Sequence, residues 1–168
     1  MRFEYGHNHF DYRAGFPHTT FGLAVLFDGR HQIARSRWIA AFDRWLDWSG
    51  RVLDRSSGRL LWSRLHHLLG DLDGARGFAA DALRLASEPR QPFALIAAHR
   101  MTAIYAIEAD QLDEAQRHVA ASLALAEASA APYARALALL VRGHLLLARW
   151  EPEAVRAVVA EIPAVAEP

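Results

Sequence analysis

From Leu60 onward the apolar residues recur every three or four positions, in bursts separated by short gaps of proline, glycine or acidic residues. This rhythm predicts helices joined by tight turns. Leu61, Leu65, Leu68 and Leu69 form a stripe that ends at Gly70, and Asp71 stands where a side-chain oxygen caps the next helix. That second helix runs to about Ser87. Pro89 and Pro92 end it and open a third, which carries Leu95, Ile96, Met101, Ile104 and Ile107. Asp110, followed one helical turn later by Asp113, reads as the next cap, and a fourth helix extends to about Ser129. Pro132 opens a fifth helix, carrying Leu137, Leu140, Leu145 and Leu147 to Trp150; Glu151 and Pro152 then start a sixth that Pro163 stops. Upstream, residues 17–27 and 32–48 carry the same pattern around a break at Asp28 and Gly29, while Ser56, Ser57 and Gly58 read as a loop between units. The expectation is eight helices in four pairs, in units of about 16–48, 56–88, 92–129 and 132–163, after an aromatic, histidine-rich segment at 1–15.

The second helices of the pairs align. Ala34, Ala75, Ala115 and Ala154 recur at nearly equal intervals; Trp38, Ala79, Val119 and Val158 follow one helical turn on, and Phe42, Leu83, Leu123 and Ile162 two turns on. Gly70-Asp71-Leu72-Asp73-Gly74-Ala75 lies over Asp110-Gln111-Leu112-Asp113-Glu114-Ala115 without a gap. A helical hairpin with a Gly-Asp-like turn, a small residue, a bulky one four on, and small and apolar residues seven and eight on (Ala82 and Leu83; Ser122 and Leu123) resembles the tetratricopeptide repeat. The period exceeds the ~34 residues of the standard unit, and looks more like the long-helix version in LuxR-type bacterial transcription regulators and related signal-transduction ATPases. Tyr5-Gly6-His7, Tyr12-Arg13 and His31-Gln32-Ile33-Ala34 distantly resemble segments of those arrays. A HEAT-type array is the rival, since its period, about 40 residues or slightly more, also fits.

The resemblance implies an all-α fold, a right-handed superhelix of about four antiparallel helix pairs in which the first helix of each pair lines a concave surface for a protein or peptide. It also implies no catalysis and no cofactor. At the usual inward positions stand Arg64, His67, Arg100 and Glu108, polar residues on otherwise apolar helices. An arginine there can pair bidentately with a partner's carboxylate. As solvated rim charges the same residues contribute under about 1 kcal/mol. The end of the chain, through Val158, Val159, Ile162 and Val165, is apolar where a solenoid normally carries a polar cap. It is expected either to pack on a second copy, giving a homodimer, or to continue into a longer protein.

Composition narrows the function further. Acidic and basic residues balance at 19 each, so neither nucleic acid nor an anionic membrane is the expected partner. All the basic residues are arginine, and a chain without lysine cannot form the usual phosphate loop. Cysteine is absent, which removes disulfides, thiolate ligands and a thiol nucleophile and is compatible with the cytoplasm. The first ten residues lack the apolar core of a signal peptide.

One stretch has the look of a site. His7, His9, Asp11 and His18 supply three imidazoles and a carboxylate, a donor set suited to zinc or manganese, and they support the alternative reading of a metal- or small-molecule-binding sensor. No helix fixes them in the sequence pattern, so ordering entropy opposes ligation. His66 and His67 point about 100° apart on one helix and cannot share an ion with ease; one is expected to face the core, the other the groove. Trp38, Trp45 and Trp48 form a stripe expected to pack between the first two units.

Overall fold

The computed structural model describes residues 44, 46, 48, 52–87 and 91–166, with the side chains of 52, 53 and 163–166 excepted. The chain divides into two compact units, Met1–Trp48 and Ser49–Pro168. In the first, residues 44, 46 and 48 are helical, Leu46 is buried, and Trp48 is 71% exposed. Two residues along a helix turn the side chain by about 200°, so Trp48 lies opposite Leu46 and does not fill a core as its stripe had implied. The predicted pair 16–48, the segment 1–15, Trp38 and Trp45 otherwise fall outside the described residues.

The second unit is built of helices: α1 (Val52–Leu68), α2 (Leu72–Ser87), α3 (Pro92–Glu108), α4 (Leu112–Ala128), α5 (Pro132–Ala148) and α6 (Pro152–Ala166). Five turns join them with one hydrogen-bond pattern. The amides of Asp71, Gln91, Gln111, Ala131 and Glu151 donate to the carbonyls of His66, Ala86, Ala106, Ala126 and Leu146, with identical spacing along the chain at every step. These are the six-to-one bonds that close a helix C-terminus around a left-handed residue. Gly70, Asp110, Ala130 and Trp150 hold that left-handed position, at φ of 79°, 58°, 47° and 59°. Prolines 92, 132 and 152 then occupy the first helical position, where a missing N–H costs nothing.

The turns correct several sequence readings. Asp71 does cap α2, accepting from the Gly74 amide at 2.9 Å. Asp110 does not cap α4: it takes the left-handed place of Gly70, and Gln111 stands at the N-cap without a side-chain bond to the helix amides. Asp71, Gln111 and Glu151 hold one place in successive hairpins, so Val155, bonded to the Glu151 carbonyl as Ala75 is to Asp71 and Ala115 to Gln111, is the true counterpart of those alanines. Anchoring on Ala154 was a one-residue slip, invited by matching small residues in an alanine-rich chain. Ser56, Ser57 and Gly58 lie within α1, not in a loop; Ser56 is buried and its hydroxyl donates to the Ala82 carbonyl at 3.1 Å, so a small polar residue serves as a contact between helices. Pro163 leaves α6 intact to Ala166, since in the final turns it removes a single backbone bond.

Each helix packs on the next. The first helices also touch one another, α1 with α3 and α3 with α5, whereas α2, α4 and α6 make no comparable contact among themselves. No packing of α1 on α6 closes the row. The seam within the first hairpin is alanine, with Ala75, Ala79, Ala82 and Ala86 fully buried, which lets α2 lie close to its neighbours. Further on valine and leucine join the alanines: Ala103, Ala106, Ala115, Val119, Val141 and Leu145 form one cluster, and Leu139, Leu146 and Val158 another. Each fully buried leucine stabilises the fold by about 1.5–3 kcal/mol.

Candidate binding face

The solvent-facing side of the first helices carries the unspent chemistry. His67 on α1 and Glu108 on α3 meet at 2.6 Å, Nε2 to Oε2, and both are partly exposed. Beneath them the Tyr105 ring lies 5.2 Å from that of His67. The Ser63 hydroxyl donates to the Ala75 carbonyl at 2.7 Å; having spent its one proton there, it accepts from the Tyr105 hydroxyl at 3.0 Å. Tyr105 and Ser63 are fully buried. Burial raises the phenol's pKa, against which the nearby charge of Arg64 acts.

Arg100 lies on the same side of α3, half-buried, with its Nε enclosed and without an acceptor. Burial lowers its pKa; Tyr133 on α5 counters this, and Arg64 on α1 adds to it. Arg64 is exposed. The four sequence-identified residues fall into two kinds: His67 and Glu108 satisfy each other, while Arg64 acts on the charge of Arg100 and neither arginine is paired with a carboxylate. Tyr133, 77% exposed, is a member of this face that the sequence reading passed over. It follows Pro132 as Phe93, itself 59% exposed, follows Pro92, and that matched place at the start of a first helix is the signal that marks it. Leu140 and Leu147 continue the exposed stripe along α5.

The other polar clusters are structural. His66 is partly exposed, not in the core: its Nδ1 bonds the Asp71 carboxylate at 2.7 Å, which, with the Gly74 amide bond, holds that carboxyl below the usual range. A Cβ at Gly74 would come within 2.3 Å of Asp71 Oδ2 and 2.6 Å of His66 Nδ1, so a larger residue there would displace this pair. His99 and His118 face each other across α3 and α4, Nδ1 to Nδ1 at 2.8 Å. A cleft at the α4–α5 turn, lined in part by Glu127, Pro132 and Arg135, holds an arginine already committed to Glu127 and Glu161. Among the described residues no three His, Asp or Glu side chains are placed to hold a metal ion, and no helix is long and apolar enough to cross a membrane. The candidate ligands His7, His9, Asp11 and His18 lie outside the described residues. Comparison with family models, with curated proteins and with solved structures finds no match.

Proposed function

We propose that this chain is a non-catalytic binding module of tetratricopeptide type, its hairpins winding into a right-handed superhelix that holds a segment of another protein along α1, α3 and α5. The even spacing of the turns supports the reading, as do the small residues Ser63, Ala103 and Gly143 at one recurring place on the first helices. The observation that carries it is the inequality of contact: first helices touch first helices and second helices do not, which curves a row toward the first-helix side. That inner side is where Phe93, Tyr133, Leu140 and Leu147 remain uncovered and Arg64 and Arg100 unpaired. Exposed apolar groups of this size, rimmed by polar ones, mark an interaction surface. In a cell the module serves as the sensory or scaffold portion of a bacterial regulator in the cytoplasm.

Selection of binders from a library of random peptides tests the proposal. Binders are expected, and Leu140→Glu with Leu147→Glu should abolish their capture while the circular dichroism spectrum is kept. Peptides that bind the double variant undiminished, or no binders at all, would count against it.

A further inference from the structure

The pairing of the arginines says what kind of segment the face accepts. Among the described residues the half-buried arginines are Arg59, Arg76, Arg100, Arg135 and Arg149. Arg59 lies over the Phe78 ring, Arg76 reaches Glu114, Arg135 reaches Glu127 and Glu161, and Arg149 reaches Asp113. The Nε atoms of Arg100 and Arg135 are both shut away from solvent without a hydrogen bond, but Arg135 has its two carboxylates and Arg100 alone has no partner. A guanidinium Nε held out of water without an acceptor forfeits a hydrogen bond that an unfolded chain would make to water. Leucine occupies the matching places one repeat to either side, Leu60 and Leu140, so the fold itself has no need of an arginine here.

A second observation points the same way. Arg64 lies near enough to Arg100 to act on its charge, and Glu108 on the same face is held by His67 at 2.6 Å. Both cations are left without a carboxylate partner, and Tyr133 lies near enough to act on the charge of Arg100. Toward α5 the face turns apolar through Leu140 and Leu147, and on α1 Leu68 is 52% exposed beyond Arg64.

We infer that this face binds an internal acidic-apolar segment of a partner protein, seating Asp or Glu carboxylates between Arg64 and Arg100 and laying neighbouring apolar side chains on Leu140 and Leu147. This rests on the proposed binding function and deepens it. A carboxylate matches the forked donors of a guanidinium and supplies the acceptor that Arg100 Nε lacks. Two cations beside an apolar stripe suit a mixed peptide better than a phosphate polymer, which needs a longer run of charge. The face continues on both sides of the arginines, so the acids lie within the segment and not at a free terminus.

The test uses short random segments displayed within a loop of a carrier protein, so that no free carboxyl terminus is present, selected against the full chain. Selected segments are expected to carry Asp or Glu beside Leu, Ile or Phe. Asn or Gln in place of the acids should weaken binding about tenfold or more, and Arg100→Gln and Arg64→Gln should erase the difference between acid and amide. Arg100→Leu should lower affinity while raising the melting temperature by about 2–4 °C, a signature that loss of fold cannot produce. Segments that lose affinity with Leu140→Glu, yet show no acid preference and bind Arg100→Gln within twofold of the original, overturn this inference and leave the binding face standing. An absence of binders overturns the binding function itself.

Discussion

The joints between successive hairpins are equivalent in geometry and unlike in chemistry. Where α1 meets α3, Ser63 pairs with Tyr105; where α3 meets α5, the same two places, one repeat on, hold Ala103 and Leu145. Within the hairpins the contrast repeats. Arg59 lies over Phe78 at 5.9 Å in α1–α2, His99 bonds His118 in α3–α4, and Leu139 packs with Val158 in α5–α6, each pair again one repeat beyond the last. One architecture therefore tolerates a cation over a ring, an imidazole pair or two aliphatics at a single place. Small residues and identical turns set the helix positions, and each seam needs only that its polar atoms find one another. The apolar joints gain from area, the polar ones from completeness.

The largest expected effect lies in the apolar joint. Leu145 is fully buried among Ala103, Ala106 and Val141, so Leu145→Ala should cost about 3 kcal/mol through lost burial and the cavity left behind. Urea denaturation measures it. A loss below about 1 kcal/mol would mean that the α3–α5 joint collapses around the gap and that area is not what holds it.

The polar joint should respond asymmetrically. Tyr105→Phe leaves Ser63 bonded to the Ala75 carbonyl and should cost about 1 kcal/mol; Ser63→Ala strands a buried phenol and should cost about 2 kcal/mol. The double change Ser63→Ala with Tyr105→Phe removes both hydroxyls and should cost less than the two single losses combined. Additive losses would show that the pair is not a unit.

What the sequence disclosed follows from the range of each interaction. Turns are local, so Gly70-Asp71, Pro92, Pro132 and Pro152 placed the chain reversals around them within a few residues, and the all-helical class with them. Errors arose where one residue type serves two roles. Aspartate tolerates a left-handed backbone as well as it caps, which hid the true place of Asp110. Serine and glycine punctuate loops but also let helices approach, which hid the first turns of α1. Arg64, His67, Arg100 and Glu108 were legible as polar interruptions of apolar stripes. Which of them are mutually satisfied was not, because the His67–Glu108 bond joins helices far apart in the chain. The exchanges Ser63/Tyr105 for Ala103/Leu145 were present as residues in the repeat, and only the register fixed by the turns pairs them.

Acid should separate the hairpins. In α3–α4 both imidazoles are held neutral: burial, then the charge of His118, lowers His99 to about 4, and burial also lowers His118, opposed by Glu114 and reinforced by Arg117. Arg76 on α2 tempers Glu114, while no charged group of α5 is among those perturbing either ring. With folded pKa values below the unfolded ~6.5, the unfolded chain binds more protons, so stability is intact above about pH 6.5 and falls as pH drops toward 4. The loss should be about 1–2 kcal/mol after allowance for solvent screening. His99→Leu with His118→Val, the pair found in α5–α6, should flatten that slope in denaturation curves taken from neutral pH down to mild acid. A slope unchanged by the double substitution would place the proton uptake elsewhere.

The smallest effects belong to the turns, which are identical in bonding and unequal in strain. Trp150 stands at φ 59° and is 90% exposed, so its side chain contributes little burial in exchange for a left-handed backbone. Gly70 adopts φ 79° in the matching turn without that penalty, and a Cβ added there would meet nothing within 4 Å. Gly70→Ala therefore isolates backbone strain and should destabilise by about 1 kcal/mol, while Trp150→Gly should stabilise by a similar or slightly smaller amount, reduced by the greater freedom of glycine in the unfolded chain. Thermal melts of the two variants should move in opposite directions from the parent. If Trp150→Gly instead lowers the melting temperature, the indole is held by contacts that outweigh its strain, and the last turn is not the equal of the first.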